Sequence, residues 1–212
     1  MHLNSRILAV GDIHGCLEQL VALMAIVEPT DNDTIVFLGD YINRGPNSKG
    51  VIDFLLDFKT RMSSVFLLGN HEKMLLDYLS NGSPAFLING GDATLQSYTS
   101  NELMTIPHSH LAFFNELRPY FETDDFIFVH AGLKPNVLLI DQDIKDLLWI
   151  RDDFLNSEHD WGKPIVYGHT MNKLPVLLKS RIGLDTGCFY SSTEGYGHLS
   201  CCDVRSRFIW SV

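Results

Sequence analysis

Short apolar runs rich in branched residues recur along the chain at positions 7–10, 34–38, 65–68, 126–129 and 165–167. Runs of that length read as buried strands. Between the first three lie helix-like segments at 16–27 and 48–58, so the N-terminal half predicts βαβαβ with a parallel sheet. A third helix is expected to start near Glu72. Positions 181–184, 198–204 and 207–210 are closely spaced strands with glycine-containing turns and no helix-length gap, which predicts a second, mostly antiparallel region. Two packed sheets flanked by helices would use both halves. Over 81–107 the pattern weakens into turn signals such as Asn81-Gly82, Ser83-Pro84 and Asn89-Gly90-Gly91-Asp92. Phe86, Leu87, Ile88, Leu95 and Tyr98 remain there for packing, so the expectation is a cap or lid within one domain covering 1–212.

Composition narrows the setting. A chain of 212 residues with 45% hydrophobic and 20% charged content suits one globular α/β domain. No apolar run reaches the roughly 18 residues a membrane helix needs. Met1 to Arg6 lead into the first strand without the apolar stretch of a secretory signal, so a cytoplasmic protein is expected. Cys16, Cys188, Cys201 and Cys202 lack zinc-ribbon spacing and read as reduced, partly buried thiols. The net charge of −10 opposes binding to nucleic acid or an anionic membrane. It does not oppose phosphate-ester chemistry if bound cations reverse the field locally.

Polar residues cluster directly after the apolar runs. These are Gly11-Asp12-Ile13-His14-Gly15, Gly39-Asp40-Tyr41-Ile42-Asn43-Arg44-Gly45, Gly69-Asn70-His71-Glu72, His130-Ala131-Gly132 and Gly168-His169-Thr170. Loops beyond the carboxyl ends of strands are where ligands converge in open α/β sheets, so all five should meet at one edge. Asp12, His14, Asp40, Asn70, His130 and His169 offer oxygen and imidazole donors without thiolate, which suits Mn²⁺, Fe or Zn²⁺. Six donors are too many for one catalytic ion that keeps an open position. Two divalent ions sharing a carboxylate fit the count.

In that order the motifs resemble the phosphoprotein phosphatase family of metallophosphoesterases, over nearly the whole chain. The resemblance implies the calcineurin-like metallophosphoesterase fold, an αββα sandwich of two mixed sheets. It implies Asp12 and His14 on one metal, Asp40 bridging, and Asn70, His130 and His169 on the second, with manganese the favoured ion. It further implies that Arg44 and Arg151 grip substrate phosphate beside Asn70 and His71, that His71 is the general acid, and that a metal-bridging hydroxide attacks. For Arg151 a structural ion pair with Asp152, Asp153 or Glu158 is the competing role. Glu72 is expected to support the ligands through hydrogen bonds.

One position departs from the family pattern: Asn43 stands where the family usually has an aspartate that orients the general acid. The leading expectation is a monomeric phosphatase acting on phosphoserine or phosphothreonine in proteins, or on small phosphate esters. Asn43 and the Gly45-Pro46 pair favour the alternative, a symmetrical bis(5'-nucleosyl)-tetraphosphatase. A third reading is a low-activity or inactive phospho-binding protein, for which Asn43 is the only support.

Overall fold

The computed structural model describes residues 5–191 and 193–212. Its N-terminal half alternates as expected: β1 (Ile7–Val10), α1 (Leu17–Val27), β2 (Thr34–Phe37), α2 (Ser48–Arg61), β3 (Ser64–Phe66) and α3 (Asn70–Asn81). Residues 81–107 are not a plain loop. They hold a wide helical turn at Leu87–Gly91, α4 (Asp92–Ser97) and a hairpin of β4 (Thr99–Ser100) with β5 (Leu103–Met104), before α5 (His108–Asn115). The remainder contains β6 (Tyr120–Glu122), β7 (Ile127–Val129), α6 (Ile144–Trp149), α7 (Asp152–Leu155), β8 (Ile165–Tyr167), β9 (Val176–Leu178), β10 (Arg181–Gly183), β11 (Ser200–Asp203) and β12 (Phe208–Ser211).

Two five-stranded sheets result, ordered β12-β11-β1-β2-β3 and β6-β7-β8-β10-β9. The first differs from the sequence expectation. The C-terminal strands β11 and β12 do not form a separate antiparallel region; β11 pairs antiparallel with β1 and completes the N-terminal sheet. In the second, β7, β8 and β10 run parallel. A parallel β1 buries both faces, which is why its sequence is continuously apolar. Leu8 and Val10 face α1 and α2, while Ile7 and Ala9 meet Phe128, Val166 and Ile182 of the other sheet. On the outer face of the second sheet Ile127, Val129, Ile165 and Tyr167 pack on Leu147 and Phe154. The layers are helix, sheet, sheet, helix. All four cysteines are buried and free.

The entry to β2 carries a measurable electrostatic load. The Asp33 carboxylate is 1% exposed and accepts from Arg6 at 2.6 Å. It also accepts from the Thr30 amide and hydroxyl at 2.7 and 3.0 Å. Burial alone would raise its pKa, but the bonds from Arg6 and Thr30 prevail and hold it at about 2. A depressed carboxylate stabilises the fold above its unfolded pKa near 3.8 and loses that contribution as pH falls through about 2. Asp33→Asn is therefore expected to cost about 2 kcal/mol at pH 7 and almost nothing near pH 2. Urea midpoints at the two pH values, with an equal loss at both as the contrary outcome, check this.

Candidate metal centre

Parallel strands bring their carboxyl ends to one edge. Asp12 follows β1, Asp40 follows β2 and Asn70 opens α3 after β3, while His130 and His169 follow β7 and β8 of the second sheet. Backbone strain concentrates there. Of the ten non-glycine residues with positive φ among the described residues, five are His14, Asp40, Asn43, Arg44 and His169. Such residues persist only where the surroundings over-determine them, typically at functional sites. The glycines beside them leave room: a Cβ on Gly69 would strike Asp40 Oδ1, and one on Gly168 would strike Asp12 Oδ1.

Glu72 locks the second and third motifs together. Its carboxylate, wholly buried, accepts from the amides of Asp40, Tyr41, Ile42 and Gly69 at 3.0, 2.8, 3.2 and 3.2 Å. Helix α3 starts two residues before Glu72, so Asn70 and His71 sit in its first turn instead of in a preceding loop. Glu72→Ala would strand four buried donors, each worth roughly 1–3 kcal/mol. The expected result is a fall in Tm of about 10 °C or more, or an insoluble chain; a Tm within 2 °C, to within about the accuracy of a melt, would refute it.

All ten predicted site residues converge. Asp12, His14, Asp40, Arg44, Asn70, His71, Arg151 and His169 line one cavity of about 270 Å³. His130 lies fully buried behind Asn70, its Nε2 2.8 Å from Asn70 Oδ1, and Asn43 stands behind His71 at 2.8 Å. His14, Asp40 and His71 form one group able to hold a cation, and Asp40, His130 and His169 form another, with Asp40 common to both. Asp12 belongs to neither close group, although both its oxygens accept the His169 amide at 3.0–3.2 Å. His71 is unsuited to ligation through Nε2, because Asn43 Nδ2 donates to its Nδ1 and the ring proton must then sit on Nε2.

The donor set fits divalent cations. Burial, then Asp185 and Asp40, push Asp12 upward, and burial lifts Asp40 to about 7. Such crowded carboxylates need positive charge to ionise together. The histidines are neutral: burial and Arg44 lower His14 to about 3, and burial lowers His130 to about 4. Hydrogen bonding around Asn70 gives a sharper test. His130 Nδ1 donates to Leu38 O at 2.9 Å, so its Nε2 lone pair faces Asn70 Oδ1 at 2.8 Å, acceptor against acceptor. Turning the amide over does not help. Arg151 Nε donates to His169 Nε2 at 3.2 Å, so His169 Nδ1 carries a proton and, at 3.1 Å, would then face the amide NH₂. Either orientation leaves one mismatch, which a cation beside Asn70 Oδ1 and His130 Nε2 would remove.

Arg44 donates to His14 Nε2 at 2.8 Å, and Arg151 to His169, so each arginine stands over one half of the cluster. Among the described residues Arg151 forms no ion pair with Asp152, Asp153 or Glu158. The histidines outside the five motifs do not line the cavity: His110 bonds Tyr98 and Asp53, His159 packs on Trp161, and His108 and His198 are exposed. His2 lies outside the described residues. Sequence reasoning missed Asp185, Trp149, Tyr190, Asn89 and Met171, all lining the cavity. Asp185 was open to discovery, since Leu184-Asp185-Thr186-Gly187 repeats the strand-then-acid-then-glycine signal of the other motifs. The other four carry no such signal.

A double-layer sheet fold with clustered carboxylate, amide and imidazole donors at its strand ends matches the arrangement of a metallophosphoesterase. The chain belongs to the calcineurin-like phosphoesterase family, whose model matches residues 5–188. It is 27% identical over 211 residues to the asymmetrical bis(5'-nucleosyl)-tetraphosphatase of Oceanobacillus iheyensis, covering 86% of this chain and 84% of that one. To the symmetrical bis(5'-nucleosyl)-tetraphosphatase of Salmonella paratyphi B it is 33% identical over 133 residues, covering 59% of this chain and 43% of that protein. The crystal structure of a candidate diadenosine tetraphosphatase superposes with a TM-score of 0.76 at 26% identity, covering 100% of this chain and 94% of that one. A serine/threonine phosphatase from Saccharomyces cerevisiae shares the fold, with a TM-score of 0.69 at 17% identity over 99% of this chain and 80% of its own. No helix among the described residues is long and apolar enough to cross a membrane.

Proposed function

We propose that the chain hydrolyses a phosphoanhydride of dinucleoside tetraphosphates, so the tetraphosphatase alternative is preferred to the phosphoserine and phosphothreonine reading. The observation that carries this is the contact of Asn43 with His71. Thr94 Oγ1 donates to Asn43 Oδ1 at 2.7 Å, which turns Asn43 Nδ2 onto His71 Nδ1 at 2.8 Å. Burial first, then His14 and Arg44, push the pKa of His71 down. The ring is a neutral hydrogen-bond donor and a poor acid. A serine or threonine alkoxide needs a proton as it leaves, whereas a phosphate leaving group, with a second pKa near about 6, departs without one. The relatives spanning most of the chain are named for asymmetrical cleavage, which favours ATP and AMP as products over two ADP.

Asp12, His14 and Asp40 would hold one divalent cation and Asp40, Asn70, His130 and His169 a second, with manganese the first ion to try. Such a pair supplies a nucleophile at neutral pH and a clamp on phosphoryl oxygens. Arg44 and Arg151 hold the phosphate chain with charge-assisted bonds, beside Asn70, and His71 donates a hydrogen bond through Nε2. The 81–107 segment is a cap within a single domain, contributing Thr94 and Asn89.

Manganese-loaded protein should be given diadenosine tetraphosphate, a phosphoserine peptide and p-nitrophenyl phosphate side by side, with products separated by chromatography. ATP with AMP as the preferred products supports the proposal. Faster phosphopeptide release would return the protein phosphatase reading, and tight binding without release from any would mean a phospho-binding protein.

A further inference from the structure

The cavity of about 270 Å³ is smaller than the roughly 300–1,000 Å³ of sites that swallow a drug-sized ligand whole. It accommodates phosphate groups. Anything larger attached to them must lie across the rim, and the rim is aromatic at two places. Tyr190, half-buried, carries the Arg44 guanidinium over its ring at 5.7 Å. Trp149, the last residue of α6, is 43% exposed and stands nearly perpendicular to His169, with ring centres 5.9 Å apart. Arg44 touches His14 and Arg151 touches His169, so the two aromatics flank different halves of the donor cluster that meets at Asp40. Neither ring is stacked face to face by another aromatic among the described residues.

The indole meets His169 edge-on and leaves 43% of its surface exposed beside a polar, arginine-lined cavity. An anionic ligand bearing an aromatic group would use both features, phosphates on the arginines and a flat ring on the aromatic faces. We infer that Trp149 and Tyr190 are specificity-determining residues, platforms on which the nucleobases of a nucleotide substrate rest while its phosphates occupy the cavity. This rests on the nucleotide reading above and names the side chains that would select for it. Base stacking is tolerant of base identity, because every base presents a π-face. The protein should therefore discriminate poorly between adenine and guanine dinucleotides.

The test compares AMP with ribose 5-phosphate, which differ only by the base, in calorimetric titrations of the manganese-loaded protein. Wild type is expected to bind AMP at least about fivefold more tightly, since stacking adds about 1 kcal/mol or more per base. Trp149→Ala and Tyr190→Ala should each reduce that preference while leaving ribose 5-phosphate affinity within about twofold. Trp149→Phe and Tyr190→Phe, which keep a ring and guard against misfolding, should retain most of it. Equal affinities for the two ligands in wild type, or alanine variants that weaken both ligands alike, would overturn the inference. Because the readout is binding, absence of dinucleotide turnover alongside a retained AMP preference would sink the proposed reaction and leave the platforms standing.

Discussion

Asp40→Asn is expected to lower kcat by about three orders of magnitude or more and to reduce manganese bound per chain from two ions to one or none. Among the described residues Asp40 is the one side chain common to both close donor groups, so it is the one placed to serve two ions. An ion pair acting on a phosphoryl group is worth several kcal/mol of transition-state stabilisation, and each 1.36 kcal/mol is about tenfold in rate. The fold should survive the change. Asparagine keeps an oxygen for the His71 amide, which Asp40 Oδ1 accepts at 3.1 Å, and it relieves repulsion with Asp12 and Asp185. The metal-free variant should accordingly melt no lower than wild type. Metal analysis, steady-state rates and a thermal melt on one preparation test all three parts, with Asp57→Asn, an exposed ion-pair residue, as the comparison. Two ions still bound and a rate within twofold would remove Asp40 from the centre.

Asn43→Asp should act selectively. A carboxylate there would still accept the Thr94 hydroxyl, but it would also accept a hydrogen bond from a protonated His71 Nδ1, favouring imidazolium in place of the neutral ring. The pKa of His71 would then rise, and the ring would become a usable acid. General-acid catalysis contributes about 10²- to 10⁴-fold where the leaving group needs a proton. The expected outcome is a gain of about tenfold or more in kcat on serine phosphate, a smaller gain on p-nitrophenyl phosphate, and a change below about threefold on diadenosine tetraphosphate. An equal gain on all three would mean that residue 43 acts through position and not through proton supply. No gain on any would mean that His71 is not the acid. Thr94, brought from the 81–107 segment, belongs to the same relay, and Asn43 N donates to its hydroxyl at 2.9 Å.

Much of the candidate site was legible because its donor residues lie in tight turns directly after apolar strands. The five motifs that placed Asp12, Asp40, Asn70, His130 and His169 are local patterns, each a strand run of period-free apolar residues followed by a donor with a glycine within two residues of it. Parallel pairing then forces the donors to one edge, so adjacency could be argued before any coordinates. Element boundaries were less secure. Helix α3 begins at Asn70 because Glu72 folds back to accept the Gly69 amide, and the same carboxylate reaches the amides of Asp40 and Tyr41, contacts that composition does not reveal. The 81–107 segment looked weakly patterned because its short helical pieces bury single residues, such as Phe86 against Tyr78, instead of a whole face.

By itself the sequence determined the parallel βαβαβ half, the family and the motifs that carry the candidate donors, since each is built from residues within a few positions of one another. Tertiary structure alone decided that β11 inserts beside β1, that Thr94 sets the orientation of Asn43, and that Trp149 and Tyr190 reach the cavity. The reason is separation along the chain. Contacts between residues 51 or 157 positions apart, such as Asn43 with Thr94 and Asp12 with His169, depend on how α4 packs beside α2 and how the two sheets meet, and local periodicity carries no record of that packing.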